Sequence, residues 1–141
     1  QRFMPQVKTT NYLNAILLQP QKQKEKAFEI LYHRDGLISE TARNNFFIVK
    51  NGMLITPKEN ILLGITRKVV LEISRKKKIK TEVRKICLSE LKEADEAFIT
   101  GSSKGIVPVV QVDRVKIGNG KVGTVTNELM NLFEKATMKM R

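Results

Sequence analysis

The chain has 141 residues, 41% of them hydrophobic, which suits one domain with a real core and excludes a disordered chain. Lys and Arg number 26 against 14 Asp and Glu, a net charge of +12 that favours anionic partners such as nucleic acid, acidic lipid or phosphorylated small molecules. The single cysteine, Cys87, and the single histidine, His33, exclude an internal disulfide, a Cys-based metal cluster and a multi-His metal site. No apolar run reaches the about 18 residues that a membrane helix needs, and no signal peptide opens the chain, so the expected location is cytoplasmic.

In chain order, residues 1–8 read as extended, with Pro5 opposing a helix start. The chain begins at Gln1 rather than Met, and its first residues read as the middle of something longer, so a preceding portion is expected. Thr9, Thr10 and Asn11 offer N-cap side chains for a helix from about Tyr12, with Leu13, Ile16 and Leu17 on one face. Pro20 interrupts it, and 21–26 is polar and reads as solvated. Residues 28–32 read as a strand, Asp35-Gly36 as a hairpin turn and 37–39 as the return strand. Asn51-Gly52, the strongest short hairpin signal in the chain, joins strands over 45–50 and 53–56.

Helical spacing of Val69, Val70 and Ile73 predicts a helix over 66–78, followed by a strand within 79–86. Ser89 is the expected N-cap of a short helix to about Ala97, without a full capping box, because Lys92 stands three residues on. Strands over 97–100 and 107–112 flank a small-residue loop at 101–105, and 124–138 closes the chain as an amphipathic helix. The elements describe one mixed α/β domain with many hairpins.

Arg75-Lys76-Lys77-Lys78 with Lys80 has the charge of a nucleic-acid patch, but it carries no interleaved aromatics and reads better as a solvated helix end complementing the dipole. Two loops suit an anion better. Gly64-Ile65-Thr66-Arg67 stands directly before a helix, where free N–H groups meet the positive dipole end. Gly101-Ser102-Ser103-Lys104-Gly105 offers hydroxyls and further N–H groups. Together they point to one phosphate held from two sides.

Lys8-Thr9-Thr10-Asn11-Tyr12-Leu13-Asn14 resembles the segment around the cofactor-bearing lysine of the fold-type IV pyridoxal-phosphate enzymes. These are the class IV aminotransferases: branched-chain and D-amino-acid aminotransferases and aminodeoxychorismate lyase. Glu40 followed five residues later by Asn45 and an apolar strand is similar to the family's second segment. Leu54-Ile55-Thr56-Pro57 with 61–67 resembles its phosphate cup, 98–103 with Val107-Pro108-Val109 its second phosphate loop, and 117–126 its C-terminal turn and helix. The match runs in order from Lys8 to about Phe133.

The resemblance implies the family's large α/β (α+β) domain, a β pseudo-barrel with flanking helices, with the small N-terminal domain absent from these 141 residues. It implies pyridoxal 5'-phosphate as cofactor and amino transfer between an amino acid, branched-chain-like or D-, and a 2-oxo acid, in a homodimer. A lyase of the same family is the alternative, and a basic fragment binding nucleic acid the more distant one. By resemblance Lys8 is the nucleophile that bonds the cofactor aldehyde and then the base at the substrate Cα. Glu40 pairs with the protonated ring nitrogen, and Tyr12 lies near the ring hydroxyl. Ile65 and Thr66 hold the phosphate through N–H groups and the Thr66 hydroxyl, Ser102 adds a hydroxyl, and Ser103 with Lys104 approaches the substrate carboxylate. Two features depart from the pattern: Pro20 falls in a usually uninterrupted helix, and Thr41-Ala42-Arg43 replaces a small-residue run. Arg43 reads as a surface charge in preference to a carboxylate selector.

Overall fold

A computed structural model describes residues 4–8 and 12–138. The N-cap expected from Thr9, Thr10 and Asn11 lies outside the described residues. Residues 4–7 form a turn closed by Val7 N–H on Met4 O, rather than an extended run. Leu13–Leu17 (α1) and Gln19–Lys24 (α2) are two short helices meeting at Leu18. Pro20 sits at the N-terminal turn of α2, where its missing N–H leaves no bond unmade. It therefore starts a helix, and the polar stretch expected as loop is helical to Lys24.

Leu31–Arg34 (β1) and Leu37–Thr41 (β2) are joined by Asp35-Gly36, both at positive φ as a tight hairpin requires. β1 starts later than the expected 28–32: the Ile30 N–H donates to Glu29 Oε1 at 3.1 Å in place of a ladder partner, and Phe28 and Glu29 meet Lys104 and Asn44 through their side chains. Asn45–Lys50 (β3) and Met53–Thr56 (β4) follow, with Asn51-Gly52 at their turn as expected. Ile65–Lys76 (α3), Thr81–Val83 (β5) and a 3-10 helix over Leu88–Lys92 come next. Glu96–Gly101 (β6), Gly105–Pro108 (β7), Gln111–Val112 (β8), Val115–Lys116 (β9) and Thr124–Met138 (α4) complete the order.

β3 organises the sheet. It pairs antiparallel with β4 and β6 along its length, and with β2 at one corner, Glu40↔Asn45. β4 pairs parallel with β5, and β6 continues antiparallel to β7. The expected strand over 79–86 holds to β4 only at 81–83, because the chain then changes partner. Ile38 N–H donates to Ile86 O at 2.8 Å, Leu88 N–H donates to Gly36 O at 2.8 Å, and Leu37 bridges Cys87. The path β2–β3–β4–β5 thus returns to β2, which is the physical content of the pseudo-barrel.

Both faces of β3 are covered, so its run Phe46-Phe47-Ile48-Val49 is apolar throughout. Phe46 and Ile48 point inward with Ile38, Ile55, Ile86 and Ile99. Phe47 and Val49 point outward with Leu54, Val70, Phe98 and Leu129 beneath α3 and α4. Phe47 and Phe98 stack with ring centroids 4.8 Å apart. Each of these aromatics contributes about 3–5 kcal/mol, judged by the cost of truncating a buried Phe.

The short helix starts one residue before Ser89. Its N-cap is Cys87, two residues upstream of the expected Ser89, and the Cys87 N–H donates to the Glu90 carboxylate at 2.9 Å, so a capping box exists where none was expected.

Candidate active site

Strand alternation sends Asn45, Phe47 and Val49 to the helix side of the sheet, and Glu40, paired with Asn45, joins them at its end. Glu40 is 2% exposed. Its Oε2 accepts the Leu62 N–H at 3.0 Å and the Asn45 Nδ2 amide at 3.2 Å. The same Asn45 Nδ2 donates to Leu62 O at 2.7 Å. One side chain therefore binds the acid to the loop over residues 57–64 that leads into α3.

That loop ends at Gly64, the N-cap of α3, whose extended backbone needs no left-handed conformation. Glycine is required there for space: a Cβ would lie 2.4 Å from Asn45 Oδ1. No side chain caps α3 and no acid stands in its first turn. The first N–H groups of a helix have no intrahelical acceptor, so this end is open to an anion. Thr66 is buried in that turn, whereas Ile65 is 77% exposed and apolar, so only its backbone N–H could serve an anion there. Arg67 follows, 7% exposed, with Nη2 on Pro57 O at 3.2 Å and a buried Nε without a partner. Burial pushes its guanidinium below the usual arginine range.

The second loop packs against the corner that carries Glu40. Gly101 lies so close to the 41–44 turn that a Cβ would sit 2.2 Å from Asn44 Oδ1. Thr41 Oγ1 holds that turn by accepting the N–H groups of Arg43 at 3.3 Å and Asn44 at 3.0 Å. Ser102, Ser103 and Lys104 form the exposed turn between β6 and β7. The Lys104 ammonium lies 4.3 Å from the Phe28 ring centroid, so the lysine is held by the segment after α2.

Lys8 is exposed after the turn at 4–7, and Tyr12 is half-buried before α1. Arg43 is exposed, as its reading as a surface charge expects, but it is not idle: its guanidinium carbon lies 5.0 Å from the Tyr12 ring centroid. This contact brings Tyr12 to the turn beside Glu40. Asn44 adds a second tie, donating from Nδ2 to Glu29 Oε2 at 3.3 Å. Sequence reasoning did not find the Asn44–Glu29, Arg43–Tyr12 or Asn45–Leu62 contacts, since each joins segments far apart in the chain.

Arg75 and Lys76 occupy the last turn of α3, where they complement its dipole, and Lys77 and Lys78 follow it, all exposed. Among the described residues no cluster of His, Cys, Asp and Glu is arranged to hold a metal. No described helix is long and apolar enough to cross a membrane.

The family model described as amino-transferase class IV matches residues 1–112. The chain is 43% identical over 110 residues to a probable branched-chain-amino-acid aminotransferase of Aquifex aeolicus, covering 76% of this chain and 35% of that protein. It is 34% identical over 129 residues to a D-alanine aminotransferase of Listeria innocua, covering 90% of this chain and 45% of that protein. In structure it is similar to a branched-chain amino acid aminotransferase from the organism abbreviated T.th., complexed with N-(5'-phosphopyridoxyl)-L-glutamate. The TM-score is 0.91 at 28% identity, over 99% of this chain and 48% of that chain. The chain thus spans less than half the length of each of these relatives. With the family model matched over most of its residues and the fold shared across nearly its whole length, the chain belongs to the class IV aminotransferase family.

Proposed function

We propose that this chain is the C-terminal, cofactor-holding domain of a two-domain pyridoxal-phosphate aminotransferase. It would move an amino group between an amino acid, branched-chain-like or D-, and a 2-oxo acid. The observation that carries this reading is the union of a buried acid with an uncapped helix start. Glu40 Oε2 takes the Leu62 N–H at 3.0 Å, and two residues later Gly64 opens α3. An acid at one end of a short loop and an anion-ready helix at the other fit a flat heterocycle that carries a protonated nitrogen and a phosphate.

Bound pyridoxal phosphate supplies an electron sink for bonds at the substrate Cα. Lys8 would be the covalent attachment point and would also serve as the base that holds and moves the proton at that carbon. Glu40 keeps the proton on the ring nitrogen. Tyr12, held by Arg43, would face the ring hydroxyl. Ile65 and Thr66 bind the phosphate through the N–H groups of the α3 start, with the Thr66 and Ser102 hydroxyls beside them. Ser103 and Lys104 take the substrate carboxylate through backbone N–H groups. The small domain completes the pocket, and the enzyme is a homodimer.

Pyridoxal phosphate added to the enzyme containing this chain is expected to give a visible absorption band that Lys8→Ala abolishes. Leucine and D-alanine, offered separately, should discharge the band at rates that name the substrate class. A protein that shows no band with excess cofactor overturns the reading.

A further inference from the structure

One side chain touches both arms of this site. Asn45 opens β3 and is 5% exposed. A primary amide has two N–H donors and one carbonyl acceptor. Here the nitrogen donates to Glu40 Oε2 at 3.2 Å and to Leu62 O at 2.7 Å. The oxygen fills the space beside Gly64, where a Cβ would lie 2.4 Å away. The backbone of Asn45 is fixed as well, opposite Glu40 on β2 and Thr100 on β6.

We propose that Asn45 is a positioning residue that makes Glu40 and the start of α3 act as one binding unit. Its amide sets the rotation of the Glu40 carboxylate and, through Leu62 and Gly64, the place of the helix start relative to that carboxylate. The residue type is specific to the task. Aspartate at this position would set an acceptor against two acceptors, serine has one donor, and leucine has none. The size is specific too, since the carbonyl oxygen already meets the one residue in the loop that has no side chain. A ligand that spans the acid and the helix start therefore meets both at a fixed separation, which is preorganisation of the site by one hydrogen-bonding group.

The proposal rests on Glu40 as the partner of the ring nitrogen, and its test separates the two ideas. In the pyridoxal-phosphate-loaded enzyme, Asn45→Ala and Glu40→Gln should each raise the cofactor dissociation constant about tenfold, the size of one hydrogen bond to a charged group. The double variant should fall short of the product of the two by at least about threefold, because the amide acts through the carboxylate. The pH at which the visible band of the bound cofactor changes should move in the same direction in both single variants. A residue that merely supports the fold would lower the melting temperature and leave that pH in place. Asn45→Leu keeps the approximate size, removes both donors and adds no charge, and it should repeat the pattern if the alanine variant does not fold. Effects that multiply independently in the double variant overturn the coupling. A Glu40→Gln variant with unchanged affinity and spectrum overturns the role of Glu40, and the coupling with it.

Discussion

The two long helices start differently, although both leave the same face of the sheet and both follow a glycine. α4 begins against Glu96, which is 8% exposed. Glu96 Oε1 accepts the Val125 N–H at 3.0 Å, and Oε2 accepts the Thr126 N–H at 2.7 Å and the Thr126 hydroxyl at 2.6 Å. α3 has no such acid. Glu40, the matching carboxylate at the other end of that face, stops one loop short of α3 and grips Leu62. A helix start closed by its own chain serves the fold, whereas one left open beside a buried acid can serve an anionic ligand. The contrast sets a contact that holds the domain together against the helix start that the proposed function gives to binding.

The largest effect should come from opening the closed start. Glu96→Ala removes an acceptor from two backbone amides and leaves the Thr126 hydroxyl buried without its partner. The expected cost is about 3 kcal/mol in a urea titration, from the loss of charge-assisted bonds and of a helix cap. Cofactor affinity should change by less than about twofold, since nothing in this contact reaches α3. A parallel fall in affinity would break the separation of the two starts.

Next in size is Gly64→Ala. The added methyl would lie 2.4 Å from Asn45 Oδ1 and 3.6 Å from its Cγ, so the amide must turn away from Glu40 or from Leu62. Overpacking of this kind costs about 1–3 kcal/mol. Unlike Glu96→Ala, it should also weaken cofactor binding, and calorimetry with pyridoxal phosphate would show both. A smaller and cleaner change is Thr66→Val, which keeps the volume of a buried side chain and deletes its hydroxyl. Affinity should fall about tenfold if that hydroxyl reaches the phosphate, with stability altered by under about 1 kcal/mol. An affinity that does not move would assign Thr66 to packing alone.

The sequence shows where short-range chemistry dominates. Asp35-Gly36 and Asn51-Gly52 fix their hairpins because two successive positive-φ residues permit little else. The strands over 45–50 and 53–56 and the helix over 124–138 follow from continuous apolar or periodic runs. It is silent where the partner is distant. Residues 84–86 read as more strand after β5, yet the chain there leaves β4 for β2, a choice made by the barrel interior around Ile38 and Ile86. Pro20 reads as a break, but its position in the first turn makes it a start. Glu40 and Thr66 stand in motifs that the sequence displays, and the structure buries both beside the loop over 57–64. Asn45 is visible only as a motif residue, because its task depends on Leu62, 17 residues on, whose backbone carries no sequence signal.

A third helix start gives the smallest effect, and its size depends on pH. The Glu90 carboxylate caps the 3-10 helix through Cys87 N–H at 2.9 Å and also receives Arg84 at 2.9 and 2.7 Å. The Arg84 guanidinium, first, and the Cys87 amide hold Glu90 below its ordinary value against the opposing effect of burial. A carboxylate with a depressed folded-state pKa binds its proton more readily when unfolded. Its contribution to stability is therefore complete above the unfolded value and disappears as pH falls through the folded one. Arg84 is 36% exposed at its side chain, so solvent screens the pair and its worth is under about 1 kcal/mol. Arg84→Met should lower stability by about that amount at pH 7 and by progressively less in acid, once Glu90 is protonated in both proteins. A deficit that stays constant from neutral pH into that acid range would mean that Arg84 acts through packing of its stem rather than through Glu90. Among the described residues no cation pairs with Glu96, which accepts from three neutral donors. Comparing Arg84→Met with Glu96→Ala at low and high salt therefore tests whether a helix start in this protein is held by charge pairing, which salt screens, or by backbone donors.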